Sequence, residues 1–142
     1  MFDTLPAQIG AGYTIIFVAF AFLKGDEPER IAAGSYVLGW FASLLIQGNG
    51  SQGDTQWGMM ALDTIMLAIF AALAWKSHRA WPVWASGLQS LIVMSHVLSL
   101  VDVRPPLAAF YAVINLASYG ILLVIGIGTF WAWQERRAAG LE

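Results

Sequence analysis

The chain has 142 residues, of which 58% are apolar and 11% charged, with a net charge of −2 at neutral pH; soluble domains carry about 25% charged residues. That balance suits one compact domain and excludes the basic surface a nucleic-acid partner needs. There is no cysteine, so disulfides, thiolate metal sites, iron–sulfur clusters, covalent c-type haem and cysteine nucleophiles are excluded together.

Five apolar segments read as membrane-spanning helices. Met1-Phe2-Asp3-Thr4 lacks the basic stretch of a cleaved signal peptide, so the first segment, Leu5 to Leu23, is expected to remain in the mature protein. The second, Ile31 to Gln47, is at the short limit of the roughly 17–25 residues a span requires. Asp26 is placed to cap it, with Glu29 at capping-box spacing. A polar Gly48-Asn49-Gly50-Ser51-Gln52-Gly53 linker then leads to the third segment, Gly58 to Trp75, with Asp54 as its expected cap. The fourth runs from Pro82 to Val101 and the fifth from Leu107 to Trp133. The fifth would extend about 40 Å against a hydrocarbon core of about 30 Å, so it should tilt or protrude. All five prolines, Pro6, Pro28, Pro82, Pro105 and Pro106, lie at or near segment ends, where a missing N–H does no harm. The expected fold is all-α, a single polytopic transmembrane bundle.

Charge sets the orientation. Of the sixteen charged residues only Asp63 falls inside an apolar segment. Lys24, Arg30, Lys76, Arg79, Arg136 and Arg137 would share one side of a five-span protein, leaving Arg104 alone on the other. The positive-inside rule then puts the N-terminus outside and the C-terminus in the cytoplasm of a bacterial inner membrane. An even number of spans would spoil this pattern, although a four-span or re-entrant arrangement is the alternative. Trp57, Trp75, Trp81, Trp84, Trp131 and Trp133 fall at expected interfaces and read as an aromatic belt. Trp40, near the middle of the second segment, reads as a packing or lipid-facing residue sooner than as a pocket lining.

Several polar residues share one depth. Asp63 is 13 residues before Lys76 and His96 is 14 after Pro82, placing both about 20 Å from the cytoplasmic end, in the outer third of the bilayer. Ser43 and Gln47 approach that zone. Gln89 and His96 share a helix face, and Tyr111, Asn115, Ser118 and Tyr119 form one stripe that Gly126 extends. Asp63, His96, Asn115, Tyr119, Gln89 and Trp40 are therefore the candidate ligand-binding residues. Ionisable groups at this depth are costly and point to function; the plainer reading is a hydrogen bond that keeps two helices in register.

Cofactor chemistry narrows without being assigned, and the sequence requires no cofactor. His78 and His96 would stand about 27 Å apart on a helix, too far to share one haem. His96 alone could give a tetrapyrrole a single axial ligand, while His78, beside Lys76 and Arg79, reads as a solvated interface residue. No H-E-x-x-H, G-x-S-x-G or phosphate-loop pattern is present, and no carboxylate cluster marks a metal site, so an enzyme is not expected.

At Trp81-Pro82-Val83-Trp84-Ala85-Ser86-Gly87-Leu88-Gln89, with His96 seven residues later and Asp63 before it, the chain resembles small multi-span bacterial inner-membrane proteins that carry no assigned activity. In span number and tryptophan content it is also similar to the tryptophan-rich sensory (translocator) protein family, which binds tetrapyrroles. The aromatic–proline motifs of that family are not matched here, so no residue roles carry over.

Three functions follow as expectations. The first is a non-enzymatic accessory or structural subunit of a membrane complex or homo-oligomer, consistent with small loops and with small-residue faces at Ala32-Ala33-Gly34 and at Ala68, Ala71 and Ala72. The second is a membrane-embedded binder of a ligand or tetrapyrrole-like pigment. The third is a minimal transporter or proton-conducting oligomer, for which the paired half-repeats of transporters are lacking.

Overall fold

A computed structural model describes residues 5–49, 52–101 and 106–141, without the side chains at 6, 7, 49, 52–55 and 107. The described residues form five α-helices: α1 Leu5–Lys24, α2 Glu27–Asn49, α3 Gln52–Lys76, α4 Trp81–Leu100 and α5 Leu107–Ala138. By length and composition Glu27–Gly48, Gln56–Lys76, Trp81–Leu100 and Ala108–Ala138 can each cross a membrane, whereas the apolar stretch Gln8–Lys24 of α1 is shorter.

Each helix packs on its neighbours in sequence, α5 closes the ring against α1, and α2 also touches α5 across the middle. Small residues line the interior: Ala21, Ala32, Ala33, Ala85, Ala117 and Ala132 are buried, beside Phe70, Ile121 and Ile125. Large apolar side chains such as Ile15, Leu38, Trp75 and Leu116 are exposed. This is the pattern of a bundle whose backbones approach closely through small residues while its exterior meets lipid. The other small-residue face, Ala68, Ala71 and Ala72, points outward from α3.

Three of the five helices, α2, α3 and α5, begin or end well beyond the expected apolar segments. The second is 23 residues long, because Glu27-Pro28-Glu29 forms its first turn. Proline is tolerated there, and acidic groups favour a helix N-terminus. Hydropathy marks where the apolar run starts, four residues into the helix. The expected linker of residues 48–53 shrinks in the same way, since α2 reaches Asn49 and α3 starts at Gln52. Asp54 thus lies within the first turn of α3 instead of capping it, and its side chain is outside the described residues. Arg104 and Pro105 are also outside them. The fifth helix has 32 residues, about 48 Å, and continues past Trp133, the expected end of the apolar segment, to Ala138.

At one end of the ring the α1–α2 turn, the α3–α4 turn and the end of α5 meet. Arg79 Nη2 donates to Asp26 Oδ2 at 2.7 Å, Arg136 pairs with the other oxygen of Asp26, and Arg136 Nη2 reaches the Lys24 carbonyl at 2.6 Å. The basic segments expected on one side therefore do share one end.

Candidate functional site

Two polar centres occupy different levels of the bundle. In the first, α3 supplies Asp63 and α4 supplies Gln89 and His96, two turns apart on one face. Gln89 Nε2 donates to Asp63 Oδ1 at 3.0 Å and to the Asp63 carbonyl at 3.1 Å, while His96 Nε2 meets Asp63 Oδ2 at 3.0 Å. Equal depth on adjacent antiparallel helices has brought these side chains into contact.

Gln89 and His96 are buried, and the Asp63 side chain is 18% exposed. His96 Nδ1 is buried and has no hydrogen-bond partner among the described residues, and its ring stands edge-on to Phe110 at 5.7 Å. A bare lone pair is cheaper to bury than an unpaired N–H. The tautomer with the proton on Nε2, donated to Asp63, fits this environment. A carboxylate offers about four acceptor positions, so Asp63 retains capacity beyond these donors.

Asp63 also lines a cavity of about 140 Å³ between α2, α3, α4 and α5. Besides Asp63 its wall includes Tyr36, Trp40, Ser43, Met66, Ile114 and Ser118. Tyr36 donates to the Ser118 carbonyl at 3.4 Å, and Ser43 to the Trp40 carbonyl at 2.7 Å. Trp40 is half-buried and is among the residues that line the cavity, with its ring packed on Phe41 at 5.5 Å; Gly39, with no side chain, leaves room beside it against Met66.

The α5 stripe divides. Ser118 turns inward to the cavity, but Asn115 and Tyr111 are exposed. Tyr119 packs edge-on against Tyr13 of α1 with ring centres 5.3 Å apart. Asn115 and Tyr119 therefore lie outside the Asp63 cluster. A helix stripe is wider than one interface, and Ser118 is the member that points at the bundle axis. Gly126 is buried where a side chain would overlap Phe17, so it is a packing contact. Gln47 is exposed as well.

Sequence reasoning missed the second centre, at the ion-paired end. Glu29 is fully buried. Its Oε1 accepts the Trp81 indole N–H at 2.7 Å and lies 3.7 Å from Arg79 Nε, and its Oε2 accepts the Asp26 backbone N–H at 2.9 Å. That last bond is the capping-box half expected of Glu29, while the Asp26 carboxylate turns to Arg79 and Arg136. Trp81 is consequently a buried hydrogen-bond donor and leaves the aromatic belt; its indole covers Gly128, where a side chain would overlap it. Trp133 lies under Lys24 and Arg137, each 5.3 Å from its ring centre. The available signal was Glu29 itself, a third acidic residue crowded beside the basic turns.

Among the described residues no three His, Asp or Glu side chains converge as metal ligands. No family model, curated protein or solved structure matches this chain.

Proposed function

We propose that the chain is a five-span inner-membrane protein, N-terminus outside and C-terminus cytoplasmic, that binds a small ammonium-type cation beside Asp63. The membrane reading is supported by four helices apolar enough to cross, an apolar exterior, and an α1 of 20 residues, about 30 Å long. The collected basic turns support the orientation.

The observation that carries the binding reading is the Asp63 carboxylate, fixed by Gln89 and His96 from α4, at the wall of a cavity that also presents Tyr36 and Trp40. A carboxylate with spare acceptor positions and aromatic faces suits a cation that donates hydrogen bonds. Size limits the choice. At about 140 Å³ the cavity falls short of the roughly 300–1,000 Å³ of drug-sized ligand sites, which favours a small amine over a tetrapyrrole. Binding is tested by thermal unfolding of purified protein titrated with ammonium and methylammonium against sodium at constant ionic strength. Stabilisation by the amines that disappears in Asp63→Asn is expected; equal responses to all three cations would overturn the reading.

A second reading, an accessory subunit or homo-oligomer, is favoured by the exposed Asn115 amide, about 12 Å from the outer end of α5, and by the outward Ala68, Ala71 and Ala72. Lipid gives an amide no partner, whereas another helix can. Disulfide trapping of Asn115→Cys in this cysteine-free chain separates the readings: a crosslinked partner or copy supports it, and an uncrosslinked monomer in native membrane counts against it.

A further inference from the structure

A larger cleft, about 580 Å³, opens between α4 and α5 at the ion-paired end. Its polar mouth is formed by Arg79 and Glu135, its flanks by the exposed Trp84 and Trp131, and its inner wall by Val124 and Ile127. Trp81 lies flat over Gly128 at the floor. The Glu135 side chain is 69% exposed, and its 3.8 Å approach to Arg79 Nη1 is looser than the 2.7 Å bond from Arg79 to Asp26. The mouth therefore presents one charge of each sign, both within reach of an incoming group.

We propose that this cleft is a binding site for a zwitterionic phospholipid of the ethanolamine type in the cytoplasmic leaflet. The phosphate is placed at Arg79 Nη1, since Nη2 is bonded to Asp26 and Nε faces Glu29, and accepts a charge-assisted hydrogen bond there. The ammonium is placed at Glu135, beside Trp131 one turn earlier on α5, where cation–π attraction adds to the ion pair. The acyl chain follows Val124 and Ile127 toward the apolar exterior. A purely anionic lipid satisfies Arg79 but sets negative charge against Glu135, so the paired charges of the mouth select the zwitterion. A free zwitterion would leave the apolar wall uncovered, which is why the occupant is a lipid. The assignment rests on the membrane-spanning reading and is independent of the Asp63 cavity.

The test is lipid retention. The full chain is reconstituted into nanodiscs of equimolar phosphatidylethanolamine and phosphatidylglycerol, its insertion verified, and the lipids kept on gentle detergent release counted by native mass spectrometry. A chain that fails to insert defeats the membrane reading; one that inserts without preference defeats this proposal alone. The expected result is preferential retention of one phosphatidylethanolamine per chain. Glu135→Gln and Trp131→Ala, both at exposed positions, should each lower that preference about threefold to tenfold. Asp63→Asn should leave it unchanged. Equal or greater retention of phosphatidylglycerol, a wild-type preference in Glu135→Gln, or a loss in Asp63→Asn would each overturn the assignment to this cleft.

Discussion

Asp63 receives Gln89 on one oxygen and His96 on the other, so its replacements separate structure from chemistry. Asparagine keeps an acceptor for His96, and Gln89, displaced from the side chain by the new NH₂ group, keeps the residue-63 carbonyl as its acceptor. Asp63→Asn should therefore lower stability by under about 1 kcal/mol, in line with hydrogen bonds inside membranes. Asp63→Leu strands the His96 N–H and leaves Gln89 only the residue-63 carbonyl, and should cost about 1–3 kcal/mol, read by unfolding in detergent; equal losses for both variants would show that the acceptor is unimportant. Glu29 carries a heavier structural role. Removing it as Glu29→Ala leaves the Trp81 N–H buried without an acceptor and Arg79 with one carboxylate fewer, a loss of about 3 kcal/mol. Glu29→Gln keeps the acceptor and should cost about 1 kcal/mol. Little difference between the two would mean that Trp81 does not depend on Glu29. Of these groups, Asp63 and His96 were legible in the sequence because a lone acid in an apolar run has a countable depth. Glu29 was not, because a charge at a helix start looks the same whether it caps the helix, faces water, or meets residues distant in sequence.

At the scale of helices, α4 and α5 depend on a missing side chain. Trp81 sits where a Cβ on Gly128 would be, so Gly128→Val must push the start of α4 away from α5. Overpacking of this kind costs about 1–3 kcal/mol, and the Trp81 fluorescence should shift toward that of an exposed indole. An unchanged spectrum and stability would mean that the two helices are not in close contact there. Helix existence was legible because five apolar runs are separated by short polar stretches, with every proline at or near the end of a run. The starts of α2 and α3 were not, since charged and polar residues continue a helix past the edge of an apolar layer at little cost. Stripe direction was a further gap: Tyr111, Asn115, Ser118 and Tyr119 do share a face of α5, but neighbouring helices decide that Ser118 alone reaches the cavity and Tyr119 goes to α1.

Over the whole molecule, the ring of helices sets an ion-paired end against a level holding the Asp63 cluster and its cavity. Arg79, Asp26 and Arg136 tie together turns distant in sequence, so the positions of all five helices are linked at that end. The proposed placing of an amine in the outer half and of a lipid in the inner leaflet both depend on which side of the membrane this end occupies. Reporter fusions test that most directly, made at the N-terminus, at Ser51, at Ser77 and after Glu142. The account predicts periplasmic readings at the N-terminus and Ser51 and cytoplasmic readings at Ser77 and the C-terminus. Both termini on one side, or a cytoplasmic Ser51 with a periplasmic C-terminus, would contradict it.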